Sequence, residues 1–157
     1  MTEYNLGKNN VHIADSVMDL ISNFRQTKST DNEAGGILIG QIKDNNIYIL
    51  KASIPNKFDK SSRYNFECNK EIAQIIIEHE FYNSEKKSIY FGEWHTHPQD
   101  IPIPSNIDKS MIYNQFRLNR LNEPFLILII QGNSDLYVGF YDGKKLNKTK
   151  LKKRGVK

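Results

Sequence analysis

Apolar residues at Ile13, Val17, Leu20, Ile21 and Phe24 recur at the three- and four-residue spacing of an amphipathic helix, with Asp15 near its positive N-terminal end. The pattern predicts a helix over residues 11–26, followed by a polar loop over 27–32. Two β-prone runs, Ile37-Leu38-Ile39-Gly40-Gln41-Ile42 and Ile47-Tyr48-Ile49-Leu50, flank Lys43-Asp44-Asn45-Asn46, whose Asp and Asn residues suit a tight turn. A hairpin is expected there. Residues 55–67 show no period and predict an irregular connection, of a length often used as a functional flap. Ile72, Ile75, Ile76 and His79 share one helical face, so a second core helix is expected over 69–82. Residues 88–95 then read as a strand. A third helix over 105–119 turns Ile107, Met111 and Ile112 inward, with Ser105 as its N-cap behind Pro104. Phe125-Leu126-Ile127-Leu128-Ile129-Ile130 is a continuous apolar strand, expected to be buried on both faces. Residues 136–141 and 145–150 complete a last hairpin around Asp142-Gly143. Together these elements predict an α+β fold, a mostly antiparallel sheet flanked by about three helices.

Composition bounds that picture without changing it. A chain of 157 residues suits a single domain, assigned to residues 1–143, with a basic C-terminal strand and tail over 144–157. Cys68 is the lone cysteine, which excludes an internal disulfide or a cysteine-based zinc knuckle and fits a reducing compartment. The first residues do not lead a charged segment into an apolar run, and no stretch approaches the ~20 apolar residues of a membrane span, so a cytoplasmic location and no membrane partner are expected. Eight of the 22 Lys and Arg lie in residues 144–157, which hold no acid, leaving 14 basic against 18 acidic groups in the rest. The positive charge belongs to the tail. A solvated terminus is its ordinary meaning, and with no aromatic-interleaved basic surface, nucleic acid is not an expected partner.

The chemistry concentrates in Gly92-Glu93-Trp94-His95-Thr96-His97-Pro98 and, after a proline-stiffened link, Ser105 and Asp108. On a strand His95 and His97 point to one face, and Ser105 and Asp108 share the first turn of a helix. Two imidazoles and a carboxylate suit Zn²⁺ with an open fourth position for water, an arrangement that lowers the pKa of water from about 15.7 to about 7. The same ligand types also hold non-haem Fe(II). Glu33, just before Ala34-Gly35-Gly36, is the best-placed acid for proton transfer. Glu93 shares the face of the histidines by alternation, either beside a ligand or at the surface, while Trp94 and Thr96 point away and Trp94 is expected to pack. His12, His79 and Cys68 are expected to be structural.

Glu33, His95-Thr96-His97-Pro98, Ser105 seven positions after Pro98 and Asp108 after two intervening residues resemble the signature of JAMM metalloproteases, the catalytic branch of the MPN domain, over roughly residues 11–141. The resemblance implies an MPN-type, cytidine deaminase-like fold and one zinc per chain on His95, His97 and Asp108. It further implies Glu33 as general acid and base, and Ser105 as a donor to the oxyanion. The implied activity is isopeptidase or peptidase cleavage after the C-terminus of a conjugated protein, such as ubiquitin or a ubiquitin-like or sulfur-carrier protein. MPN domains lacking the ligands serve instead as binding modules. Gly-Glu-Trp-His-Thr-His-Pro with Ser-Ser-Arg-Tyr-Asn-Phe further resembles the bacterial group of type II CBASS antiphage operons, whose substrate is a conjugate formed at the C-terminus of a nucleotidyltransferase, the CD-NTase. Only residues 119–124 separate the third helix from the next strand, too few for the second zinc insertion of polyubiquitin-specific relatives.

Overall fold

Val11 and Ile13 are fully buried and His12 between them is not, which is the two-residue alternation of a strand rather than the start of a helix. In the computed structural model, which describes residues 1–152, β1 (Thr2–Leu6) turns at Gly7 into β2 (Asn9–Ile13). The first helix, α1 (Asp15–Ser22), begins four residues later than expected and buries Val17 and Ile21. The Ile13-to-Val17 spacing fits a helix and equally a strand-to-helix junction, so periodicity placed the boundary too early.

The expected hairpin forms from β3 (Gly35–Lys43) and β4 (Asn46–Ala52), with Asp44 at φ 55° in its turn. Where an irregular connection was expected, β5 (Lys60–Ser62) and β6 (Asn65–Glu67) form a small separate hairpin, too short for an alternation to register. These two strands form a flap. The second helix, α2 (Lys70–Asn83), is capped by Asn69, whose side chain accepts from the Ile72 amide at 3.0 Å. It is not a core helix. Ile72, Ala73, Ile76 and Ile77 are only half-buried, Ile75 is 61% exposed, and His79 lies outside.

β7 (Ile89–Thr96) carries the histidine motif, and α3 (Asn106–Leu118) follows it. α3 buries Asp108 and Ile112, whereas Ile107, expected inward, is 61% exposed. The remaining strands are β8 (Leu126–Gln131), β9 (Leu136–Tyr141), β10 (Leu146–Lys148) and β11 (Lys150–Leu151).

Nine strands form one sheet in the order β10-β9-β8-β7-β3-β4-β2-β1-β11. The β2–β4 and β7–β8 pairs are parallel and the others antiparallel, the mostly antiparallel arrangement expected. β8 is buried throughout. Ile127 and Ile129 join the core under α1 with Trp94, Phe91 and Val17, while Leu128 and Ile130 join the core under α3 with Ile112 and Tyr137. Full burial of each such side chain stabilises by roughly 1.5–3 kcal/mol, so the histidine strand is paired to the best-anchored strand of the sheet.

The basic C-terminal segment is part of this sheet. Residues 146–148 pair with β9, residues 150–151 pair with β1, and buried Thr149 between them donates both its amide and its hydroxyl to the Val138 carbonyl at 2.8 Å. One short segment thereby pairs with both β9 and β1 and covers part of each end of the sheet. Residues 153–157 of the expected tail lie outside the described residues. Among the described residues, no helix is long and apolar enough to cross a membrane.

Candidate metal centre

The parallel β7–β8 pairing brings the end of β7 to the centre of the sheet, where the His97 amide donates to the Gln131 carbonyl at 3.0 Å. A bulge at Leu38/Ile39 sits opposite Gly92, whose φ of 146° favours glycine and whose missing Cβ lets the Ile127 backbone approach. Beyond it the alternation runs as expected. Trp94 packs against Phe24 and donates its ring N–H to the Ser53 carbonyl at 2.9 Å, while His95 faces α3.

His95 and His97 place their Nε2 atoms 3.2 Å apart. Asp108, reaching from the first turn of α3, sets Oδ1 3.2 Å from His95 Nε2 and Oδ2 3.0 Å from His97 Nε2. Its orientation is fixed by a capping box: the Ser105 amide donates to Asp108 Oδ2 at 2.8 Å, and the Asp108 amide donates to Ser105 Oγ at 3.1 Å. Glu33 completes the cluster, with ligand atoms of Glu33, His95 and His97 all within 4.8 Å of one another. All four ionisable side chains are buried, and Ser105 is exposed at the rim. The five residues singled out in the sequence therefore meet in one place.

Bonds of about 2.0 Å to a tetrahedral ion set its donors about 3.3 Å apart. The two imidazole nitrogens and the Asp108 oxygens stand at close to that spacing, so the donor set fits one metal ion. Glu33 and Asp108 compete for the third protein position, and the shorter contacts to both histidines belong to Asp108.

Residues 16–139 match the family model of prokaryotic homologs of the JAB domain. This chain belongs to that family. A protein from Escherichia coli (strain TW11681) is 35% identical over 151 residues, covering 94% of this chain and 91% of its own length, and is named CD-NTase/cGAS isopeptidase. A protein of the same name from Pseudomonas aeruginosa is 31% identical over 133 residues, covering 85% and 84%. One from Vibrio cholerae, also so named, is 29% identical and covers 82% and 80%. In fold, the JAB domain described here resembles a solution structure of a protein from Desulfitobacterium hafniense, with a TM-score of 0.62 at 17% identity and 88% coverage of both chains.

Electrostatics separate the two carboxylates of this JAB domain. Burial pushes the Glu33 carboxyl up to about 8, with Asp108 adding to the rise and His97 opposing it. Burial alone would raise Asp108 too, but hydrogen bonds from His95 and His97 and from the Ser105 backbone hold it well below the usual carboxylate range. His97 is raised: burial disfavours its charge, and the bonds to Asp108 and Gln99 outweigh that.

Three residues escaped the sequence reading. Gln99 accepts from His97 Nδ1 at 3.0 Å and so fixes which imidazole nitrogen faces the centre, the task for which Glu93 was considered. Glu93 is half-buried and instead accepts from Gln115 of α3 at 3.2 Å, with burial raising its pKa to about 7. Gln26 and Arg63 hold the loop that carries Glu33. Polar residues in loops give no periodic signal; the signals on offer were the position of Gln99 two residues after His97 and that of Arg63 within Ser-Ser-Arg-Tyr-Asn-Phe.

Proposed function

We propose that this JAB domain is a zinc-dependent isopeptidase of the cytoplasm, cleaving the bond that joins the C-terminus of a CD-NTase to another protein, in antiphage defence. The observation that carries the reading is the set of donors from His95, His97 and Asp108 at 3.0–3.2 Å with Glu33 beside them, in a chain whose relatives are named for that activity.

In this reading His95, His97 and Asp108 hold the ion. Bound zinc supplies a Lewis acid that polarises the scissile carbonyl and makes water acidic enough to attack at neutral pH. Glu33 takes a proton from the attacking water and returns it to the leaving nitrogen. Ser105 Oγ already accepts from the Asp108 amide, which leaves its O–H free to donate to the carbonyl oxygen as negative charge develops. Losing such a donor typically costs about 3 kcal/mol of transition-state stabilisation. Gln99 orients His97. The substrate tail adds as an extended strand beside the flap, binding mainly through its backbone.

The test uses protein purified without chelator and a CD-NTase joined through its C-terminus to a fluorescent protein. Elemental analysis should find about one zinc per chain, chelation should stop cleavage, and added zinc should restore it. Oxygen-dependent turnover restored by iron and not by zinc would overturn the metal assignment. Cleavage of a ubiquitin-like precursor with the CD-NTase fusion untouched would overturn the substrate.

A further inference from the structure

The flap is a two-stranded hairpin outside the main sheet, and such a hairpin has no core of its own to fix it. Phe66, 6% exposed, packs against Gly35, where a Cβ would lie 2.5 Å from its ring. The other ties are polar. Arg63 Nη1 donates to the carbonyls of Ser29 at 2.9 Å and Lys28 at 3.0 Å, with a weaker contact to Asp31 at 3.4 Å.

Gln26 is 2% exposed and uses both ends of its amide. Its Nε2 donates to the Arg63 carbonyl at 2.9 Å and the Asp31 carbonyl at 3.1 Å, and its Oε1 accepts from the Thr96 hydroxyl at 2.9 Å. Thr96 stands between His95 and His97 and accepts from the Ala34 amide at 3.0 Å. A buried, fully used amide of this kind selects one geometry, because every displaced partner is left unpaired in a dry environment.

Glu33 lies where these ties converge. Residues 31–34 form neither helix nor strand. The Glu33 amide donates to the Ser62 carbonyl of the flap at 2.8 Å, and its neighbour Ala34 exchanges backbone and hydroxyl bonds with Thr96. The position of Glu33 is thus set between the flap on one side and the histidine strand on the other.

We infer that Arg63 and Gln26 are positioning residues that latch the flap to the histidine strand and thereby hold Glu33 against the reacting groups. The inference rests on the proton-transfer role proposed for Glu33. It makes the flap more than a substrate rail: a shift of the flap moves Glu33 through the Ser62 carbonyl.

Arg63→Ala tests this with three readouts on the zinc-loaded protein: kcat and KM on the CD-NTase fusion, zinc content, and hydrogen exchange at the Glu33 amide. The expected result is a kcat at least 10-fold lower, one zinc retained, and Glu33 exchange at least 10-fold faster, while the Ile129 amide in β8 exchanges as before. Arg63→Lys keeps the charge but not the planar fork and should give intermediate values. It also replaces Arg63→Ala if that variant does not fold. A rise in KM with kcat unchanged, or unchanged exchange at Glu33, overturns the latch. Failure of the underlying reading looks different: Glu33→Gln would then turn over like the parent, while the exchange measurement still reads the latch directly.

Discussion

The Asp108 oxygens lie 3.2 Å from His95 Nε2 and 3.0 Å from His97 Nε2, and Oδ2 also accepts from the Ser105 amide. Asp108 stays an anion where Glu33, buried beside it, is pushed up to about 8. Two substitutions separate their roles. Asp108→Asn should lose zinc and cleavage together, whereas Glu33→Gln should keep zinc and lower kcat at least 100-fold; elemental analysis and turnover on the same preparations check both. Stability gives an independent readout. A carboxyl raised in the folded state favours the fold least when ionised, so the contribution of Glu33 declines as pH climbs from about 4.5 to about 8. His97, also raised, loses its favourable contribution as pH rises through its elevated pKa, in the same direction. In chelated protein, thermal stability should therefore fall from pH 5 to pH 8, and less steeply in Glu33→Gln; parallel declines would contradict the buried state of Glu33. At this scale the sequence was informative because ligand types and spacing are local facts: His95 and His97 alternate on one strand, and Ser105 and Asp108 share one helical turn. Gln99 and Gln26 were not legible, since an amide in a loop acquires meaning only from what the fold sets beside it.

At the scale of elements, the histidine strand depends on glycines that let neighbours approach. A methyl group at Gly35 would meet the Phe66 ring and the Trp94 carbonyl. Gly35→Ala should cost about 1–3 kcal/mol by overpacking and shift the flap, lowering both Tm and turnover; calorimetry and the fusion assay check this, and a parent-like variant would show that the flap floats free of β3. Long, strongly patterned elements were readable in advance, including the β3–β4 hairpin, β8 and α3. The flap strands were not, because three residues cannot display an alternation. The inward face of α2 was misread for another reason: isoleucines at helical spacing report an amphipathic face, and only the assembled sheet shows that this face lies at the surface. Two sequence-adjacent strands at opposite ends of the sheet order are equally invisible to periodicity.

For the whole molecule, that double pairing gives the basic segment a structural task. Removing residues after 145 deletes the pairing to both β9 and β1 and the two Thr149 bonds, and should lower Tm by many degrees, at roughly 2–4 °C per kcal/mol for a chain of this size. Removing residues after Lys150 sacrifices the Leu151 pairing with Tyr4 and the Lys152 contacts with Glu3 but keeps β10 and Thr149, and should leave peptidase activity intact with a smaller loss of Tm. Comparing melting and turnover of the two truncations tests the point; equal stability would mean that the segment does not stabilise the sheet. The pairing of this segment as a hairpin with residues 136–141 was legible from the turn at Asp142-Gly143. Its second partner, at the other end of the chain, was not.

Intact-mass analysis of the fusion after incubation with the zinc-loaded enzyme tests whether the proposed metal centre cuts a protein off the C-terminus of a CD-NTase. Two products are expected, with masses that place the cut at the bond following the last CD-NTase residue, absent with Glu33→Gln and absent after chelation. An uncut fusion, or a cut at the same bond that persists in the chelated protein or in Glu33→Gln, would contradict the proposed function.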